Sequence, residues 1–313
     1  MNGTQDLDAK TGDALRVDLV EVGARDGLQN EAVVLPTASK AELIERLVVA
    51  GSRRIEVASF VHPGRVPQMA DAEAVVDQIG PSPNDVSYIG LVLNQRGLDR
   101  ALATSVDEIN FVVGATVGFN EANAGASPET TMTEIETMLG QVEGRRTTVT
   151  ISVAFGCPYD GLVPVDAVVD LATRAASAGA DEIALGDTIG VAVPSQVTAV
   201  IGAVRAAVDV PLRGHFHDTR NTAVANAVAA YAAGVTVLDA SVGGAGGCPF
   251  APNATGNVAT EDLIYVFERM GIETGLDHGQ IIETTHWLEN QLGKQLPSAL
   301  SRAGWWGPNS RSP

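Results

Sequence analysis

From residue 17 onward the chain alternates short β-branched apolar runs with longer Ala/Leu/Glu-bearing stretches whose apolar positions recur at helical spacing. This is the pattern of successive βα units and a parallel sheet. The runs predict strands over 17 to 22, 53 to 58, 87 to 93, 108 to 113, 148 to 154, 181 to 186, 212 to 217 and 236 to 241. The stretches between them predict helices near 38 to 50, 70 to 79, 96 to 103, 129 to 141, 165 to 178, 195 to 208, 220 to 233 and 258 to 270. Small residues and a glycine end several helices just before a strand, as at Gly51, Gly179 and Gly234, where a left-handed C-cap suits glycine. Eight such units satisfy closure, and no glycine-rich dinucleotide fingerprint follows the first strand. The expected fold class is therefore α/β, a single-domain (β/α)8 TIM barrel, in preference to an open doubly wound sheet.

The barrel is expected over residues 15–291, after a disordered N-terminal tail, 1–14. A C-terminal tail, 292–313, holds a helix remnant, then Trp305, Trp306 and a Pro/Ser end, and reads as a docking segment or as disorder. Composition changes this picture little. The 313 residues are 45% hydrophobic, enough to bury one large core. Charge says more: 38 acidic against 20 basic residues, a net charge of −18, oppose nucleic acid and anionic lipid, so an anionic ligand needs local arginines. No signal peptide and no apolar run of membrane-spanning length is visible, so no membrane partner is expected. Cys157 and Cys248 each sit in a Gly-Cys-Pro step, and a chain of this size needs no disulfide, which points to a reducing cytoplasm.

Barrel enzymes collect their chemistry at the C-terminal ends of the strands. There the sequence is unusually polar: Glu21, Arg25, Asp26 and Gln29 after the first strand, Glu56 and Ser59 on the second, Asn94 after the third, Asp187 and Thr188 after the sixth. In Gly214-His215-Phe216-His217-Asp218 the imidazoles are two residues apart, which on a strand puts both on one face. They read as a metal chelate or as a pair of satisfied core histidines. Asp26 and Asn257 offer oxygen ligands from the first and eighth strands, a mixed set that suits Mg2+, Mn2+, Co2+ or Zn2+. Glu56 and Asp187 are either interior residues held by hydrogen bonds or carboxylates that orient the ligands. Gly243-Gly244-Ala245-Gly246-Gly247-Cys248 is a mobile lid or a tight turn needing positive φ. Cys157 reads as an inert buried thiol, Cys248 as a reactive one.

These motifs resemble the hydroxymethylglutaryl-CoA lyase family. The resemblance is carried by Val22-Gly23-Ala24-Arg25-Asp26-Gly27-Leu28-Gln29-Asn30-Glu31, Ser59-Phe60-Val61, Val66-Pro67-Gln68-Met69, Gly156-Cys157-Pro158-Tyr159 and Gly186-Asp187-Thr188-Ile189-Gly190. His215 to Thr219, Gly246 to Phe250 and Gly256 to Asp262 complete it, in order over about residues 17 to 275. It implies a carbon-carbon lyase that cleaves 3-hydroxy-3-methylglutaryl-CoA, or a related 3-hydroxyacyl-CoA thioester, to acetyl-CoA and a keto acid by a retro-Claisen step. It further implies Mg2+ or Mn2+ bound by Asp26, His215, His217 and Asn257, with Arg25 facing the thioester oxygen where enolate charge grows. Cys248 matches the family's proton-transfer cysteine, and Glu56 and Asp187 match acidic residues near the metal.

The departures lie around the substrate. His62, Pro63, Gly64 and Arg65 replace a usual Ser-Pro-Lys-Trp, Arg220-Asn221-Thr222 a Tyr-Gly-Gln, Ala32 a lysine, Thr148 an arginine, and Thr116-Val117 a Ser-Glu pair. The acyl group is therefore left open. A Claisen-type acyl-CoA synthase and a non-catalytic binding barrel are the competing expectations. A homo-oligomer, a dimer, is also expected, since barrel helices commonly bury a face that way.

Overall fold

The computed structural model describes residues 15–247 and 256–306. Eight parallel strands close on themselves in the order of the chain: β1 (Asp18–Glu21), β2 (Arg54–Ser59), β3 (Ser87–Val92), β4 (Glu108–Gly114), β5 (Arg146–Ser152), β6 (Glu182–Asp187), β7 (Leu212–Phe216) and β8 (Val237–Ala240). Ring closure is made by β1 against β8, with Asp18 opposite Val237 and Glu21 opposite Ala240. The fold is a single-domain TIM barrel, and each strand falls within two residues of its predicted span.

Outside the strands run α1 (Thr37–Val49), α2 (Ala72–Ile79), α3 (Gln95–Leu102), α4 (Val117–Ala124), α5 (Pro128–Leu139), α6 (Val165–Ser177), α7 (Pro194–Ala207), α8 (Ala223–Ala232), α9 (Thr260–Arg269), α10 (His278–Leu292) and α11 (Leu300–Ala303). Two of these, α4 and α10, were not anticipated, and α11 falls where a helix remnant was expected. α4 is a two-turn insertion between β4 and α5, held by buried Asn120, which accepts from Gly114 N and donates to Ala126 O and Thr131 Oγ1. α10 buries Ile281, Thr284, Thr285, Leu288 and Leu292, and the threonines on that face dilute the apolar period. After it, Leu296 and Leu300 are buried, Ser298 N donates to Gly243 O, and Trp305 stacks 4.4 Å from the His278 ring, so the segment through α11 lies packed on the barrel.

The barrel interior is charged rather than oily. Positions two apart along a strand point the same way, so Arg54 and Glu56, Glu108 and Asn110, Thr148 and Thr150, and Arg213 and His215 stack in layers. The lower layer is an ion network: Arg54 donates to Glu108 and Glu182, Arg146 to Glu182, and Thr148 Oγ1 to Glu108. Arg213, 1% exposed, stands 3.6 Å from Glu182 and 3.3 Å from Asp239. Buried charges are tolerable only when paired in this way. The layer above is the floor of the site. Among the described residues no helix is long and apolar enough to cross a membrane.

Candidate active site

β1 ends at Glu21, and the chain turns at once through a π-helical turn, Gly23–Gly27, a geometry that recurs at functional sites. Glu21 fixes this turn. Its carboxyl accepts from Gly23 N at 2.7 Å, Val242 N at 3.0 Å and Thr260 Oγ1 at 2.6 Å, tying β1 to the loop after β8 and to α9. A Cβ at Gly23 would lie 2.7 Å from that carboxyl oxygen, so only glycine fits. Burial raises the Glu21 carboxyl to about 7 against these hydrogen bonds.

The turn delivers Arg25 and Asp26 to the mouth of the barrel. Arg25 Nε donates to Glu56 Oε2 at 2.6 Å, Nη2 also reaches Glu56, and Nη1 reaches Asp26 Oδ1 at 2.5 Å. One N–H on each Nη remains for a ligand. Glu56 is aimed by Asn110 Nδ2 at 2.9 Å, and Asn110 in turn by Thr150 Oγ1 at 2.8 Å.

From β7 and the residue after it, His215 and His217 turn their Nε2 atoms toward each other at 3.1 Å, and His217 Nε2 stands 3.7 Å from Asp26 Oδ2. One ligand atom from each of Asp26, His215 and His217 lies within 4.8 Å of the others. The donor set fits a divalent cation: ligands at right angles around a centre at about 2.1 Å lie about 3 Å apart. Asn257 adds a buried Oδ1 with no partner, while its Nδ2 donates to Asp26 Oδ2 at 2.8 Å. The expectation that Asn257 sits on the eighth strand is corrected. β8 ends at Ala240, and Asn257 lies on the returning segment, bridged to His217.

Electrostatics agree with this grouping. Burial alone would raise the Asp26 carboxyl, but Arg25, His215 and His217 outweigh it and hold it far below the usual carboxylate range. Burial lowers His217 to about 4, helped by His215, so its imidazole is neutral. His215 moves up despite burial because its Nδ1 is hydrogen-bonded at 2.9 Å to Asp239.

Asp187 is not brought among these groups. Its oxygens accept from Val191 N at 2.9 Å and Ala192 N at 3.1 Å, so it shapes the loop after β6. Cys157 is buried and accepts from Thr116 Oγ1 at 3.0 Å, a structural thiol. From Gly243 to Gly246 the glycine loop is a turn, with positive φ at Gly243, Gly244 and Gly246. Gly246 is needed for a second reason, since a Cβ there would lie 2.8 Å from Asn257 Nδ2. Cys248 lies outside the described residues, as do both expected tails up to residue 14 and from 307.

A cavity of about 810 Å3 opens above this floor, lined by Arg25, Asp26, His215, His217, Asn110 and, at its rim, Arg65. Sequence reasoning missed Asp239, Asn110 and Thr150. Their signal was a polar residue at an inward position of a strand, two residues from another inward polar group in the case of Asn110 and Thr150.

Fold and site define a TIM-barrel enzyme with an Asp-His-His ligand cluster and a buried arginine at the mouth. The chain belongs to the HMGL-like family, whose model matches residues 16–288. It is 41% identical over 300 residues to the (R)-citramalyl-CoA lyase of Chloroflexus aurantiacus, covering 92% of this chain and 95% of that protein. To the hydroxymethylglutaryl-CoA lyase of Bacillus subtilis it is 40% identical over 286 residues, covering 90% and 95%. A solved hydroxymethylglutaryl-CoA lyase from Acinetobacter baumannii, in complex with coenzyme A and 3-methylmalate, superposes with a TM-score of 0.90 at 36% identity, covering 95% of this chain and 97% of that one. The chain is thus a carbon-carbon lyase acting on CoA thioesters.

Proposed function

We propose that the protein cleaves 3-hydroxy-3-methylglutaryl-CoA to acetyl-CoA and acetoacetate, with Mg2+ or Mn2+ held by Asp26, His215, His217 and Asn257. The observation that carries this reading is the convergence of the Asp26 carboxylate and both imidazole Nε2 atoms beside the two free N–H groups of Arg25. When bound, the cation supplies positive charge against the substrate's hydroxyl and carboxylate oxygens and eases loss of the hydroxyl proton.

In the step itself the bond between carbons 2 and 3 breaks as water in the cavity takes the hydroxyl proton, which afterwards restores the Cys248 thiol. Carbon 3 becomes the ketone, and the electron pair passes to carbon 2 and the thioester oxygen as an enolate. Arg25 meets the charge on that oxygen, and Glu56, fixed by Asn110 and Thr150, sets the plane of its guanidinium. Cys248 gives the proton that turns the enolate carbon into the methyl of acetyl-CoA. Asp187 holds the loop over β6 in shape for the acyl group.

A second reading, cleavage of citramalyl-CoA to acetyl-CoA and pyruvate, is favoured by the 41% identity to a citramalyl-CoA lyase. Both substrates carry a tertiary methyl carbinol next to the same CH2-thioester and differ by one methylene before the carboxylate. Incubating the protein and Mg2+ with each thioester and identifying the keto acid separates the readings. Acetoacetate supports the first and pyruvate the second; release of neither overturns both.

A further inference from the structure

In a chain with 38 acidic and 20 basic residues, most cations are already committed. Among the described residues the side chains of Arg53, Arg65, Arg96 and Arg269 make no hydrogen bond and no ion pair, and all four are exposed, Arg269 at the end of α9 lying over the Trp306 ring. Their places differ. Arg53 immediately precedes β2, at the end of the barrel away from the site. Arg65 follows β2 and lines the reaction cavity. Arg96 opens α3 and faces a neighbouring cavity of about 940 Å3. Arg65 is therefore the one unpaired arginine on the path out of the site.

The loop that carries it is built to hold it there. Arg65 N and Val66 N both donate to His62 O, and Gly64 N donates to His62 Nδ1 at 3.1 Å. That bond leaves the proton of a neutral His62 on Nε2, a donor at the same rim. Below, Met69 is buried, Gln68 Nε2 donates to Glu31 O, and Lys40 Nζ donates to Gln68 O at 2.5 Å. Across the mouth Asn30 Nδ2 donates to Gly247 O at 3.0 Å, and both residues line the cavity with Arg65.

We infer that Arg65, with the His62 Nε2–H beside it, is the docking point for the phosphates of the coenzyme A arm. This rests on the reading that the ligand is a CoA thioester. A polyphosphate approaching so acidic a molecule meets a repulsive field, and an unpaired guanidinium at the cavity rim offsets it with charge-assisted hydrogen bonds. Arg65 then sets affinity for the coenzyme while leaving the bond-breaking step alone.

The test is direct binding of free coenzyme A by calorimetry, alongside KM and kcat, for the wild type, Arg65→Ala, Arg65→Lys, Arg96→Ala and Arg53→Ala. Arg65→Ala is expected to weaken coenzyme A binding and raise KM about tenfold with kcat unchanged. It should leave KM for an N-acetylcysteamine thioester, which has no phosphates, where it was. Arg65→Lys recovers part of the loss, and Arg53→Ala, with the same change in net charge, has no effect. Equal losses in Arg65→Ala and Arg53→Ala, an unchanged Arg65→Ala, or a larger loss in Arg96→Ala overturn the assignment. If coenzyme A binds through Arg65 but no thioester is cleaved, the substrate reading fails and this inference stands. If thioesters are cleaved and Arg65→Ala is silent, the reverse holds.

Discussion

Asp239 accepts from His215 Nδ1 at 2.9 Å, and this one bond turns the His215 Nε2 lone pair toward His217 and Asp26. The other Asp239 oxygen faces the buried Arg213 at 3.3 Å, so the carboxylate is anchored from below by the barrel's ion network. Carboxylates behind a ligating imidazole fix its tautomer and orientation, and their loss typically weakens metal affinity about 10- to 100-fold. Asp239→Ala is therefore expected to weaken Mn2+ binding by about that factor, with kcat partly restored at saturating Mn2+. Titration by electron paramagnetic resonance measures it. Unchanged affinity in a folded variant would remove Asp239 from the site.

Cation binding by Asp26, His215 and His217 must also show as stability, because a ligand that binds only the folded chain shifts the unfolding equilibrium by mass action. At a hundred times its Kd, Mn2+ contributes about 2.7 kcal/mol, or about 5 °C in Tm for a domain of this size. Chelation should reverse the shift and abolish turnover. In His215→Ala with His217→Ala, added Mn2+ should leave Tm where it was. A Tm that ignores Mn2+ in the wild type contradicts the ligand assignment.

How far the sequence reached can be argued from three residues. His215 and His217 are two apart on a strand, so their shared face is a property of local geometry that any reader of the chain can extract. Asp239 is different. It stands in Val237-Leu238-Asp239-Ala240, and what brings it to His215 is the pairing of β7 with β8, Gly214 opposite Leu238, a non-local register that no spacing announces. Asn257 was named for its motif, yet placed on the wrong element, because β8 ends early and the chain returns to bridge His217. The strands were legible because β-branched runs alternate with helices throughout. α10 was not, because threonines occupy part of its buried face.

Glu21 ties the Arg25-Asp26 turn to the glycine loop, and its protonation is linked to folding. Its carboxyl sits at about 7 in the folded chain against 4.5 in the unfolded one, so the folded state binds the proton more tightly. The stabilisation is complete below pH 4.5 and is lost as pH rises through 7. At about 1.4 kcal/mol for each tenfold difference, it amounts to about 3 kcal/mol. Glu21→Gln keeps the acceptor for Gly23 N and Val242 N and offers its amide to Thr260 Oγ1. Relative to wild type, the variant should gain about 3 kcal/mol in urea unfolding between pH 5 and pH 8. A difference that stays flat across that range refutes the linkage.

Cys248, next after the Gly247 that lines the cavity, is proposed to protonate the enolate carbon. General acids of this kind contribute about 10²- to 10⁴-fold. Cys248→Ser should lower kcat within that range while leaving KM and Mn2+ affinity close to wild type. Deuterium incorporation into the methyl of acetyl-CoA should slow with it. Full activity in the variant would assign the proton to another donor.

Arg25 is the group on which the bond-breaking step depends most, and it also balances two buried carboxylates, Glu56 and Asp26. Removing it outright confuses the two roles, because breaking a buried ion pair by deleting one partner costs about 3–5 kcal/mol of stability. Arg25→Lys separates them. Lysine keeps a cation between the carboxylates but lacks the planar fork that reaches Glu56 through Nε and Nη2 and still presents N–H groups to an enolate oxygen. Loss of one such preorganised donor is worth about 10²- to 10³-fold in kcat. Arg25→Lys is therefore expected to lose about that much in kcat with KM, Tm and Mn2+ affinity near wild type. A loss that appears in KM instead would make Arg25 a substrate anchor, and the enolate would need another partner.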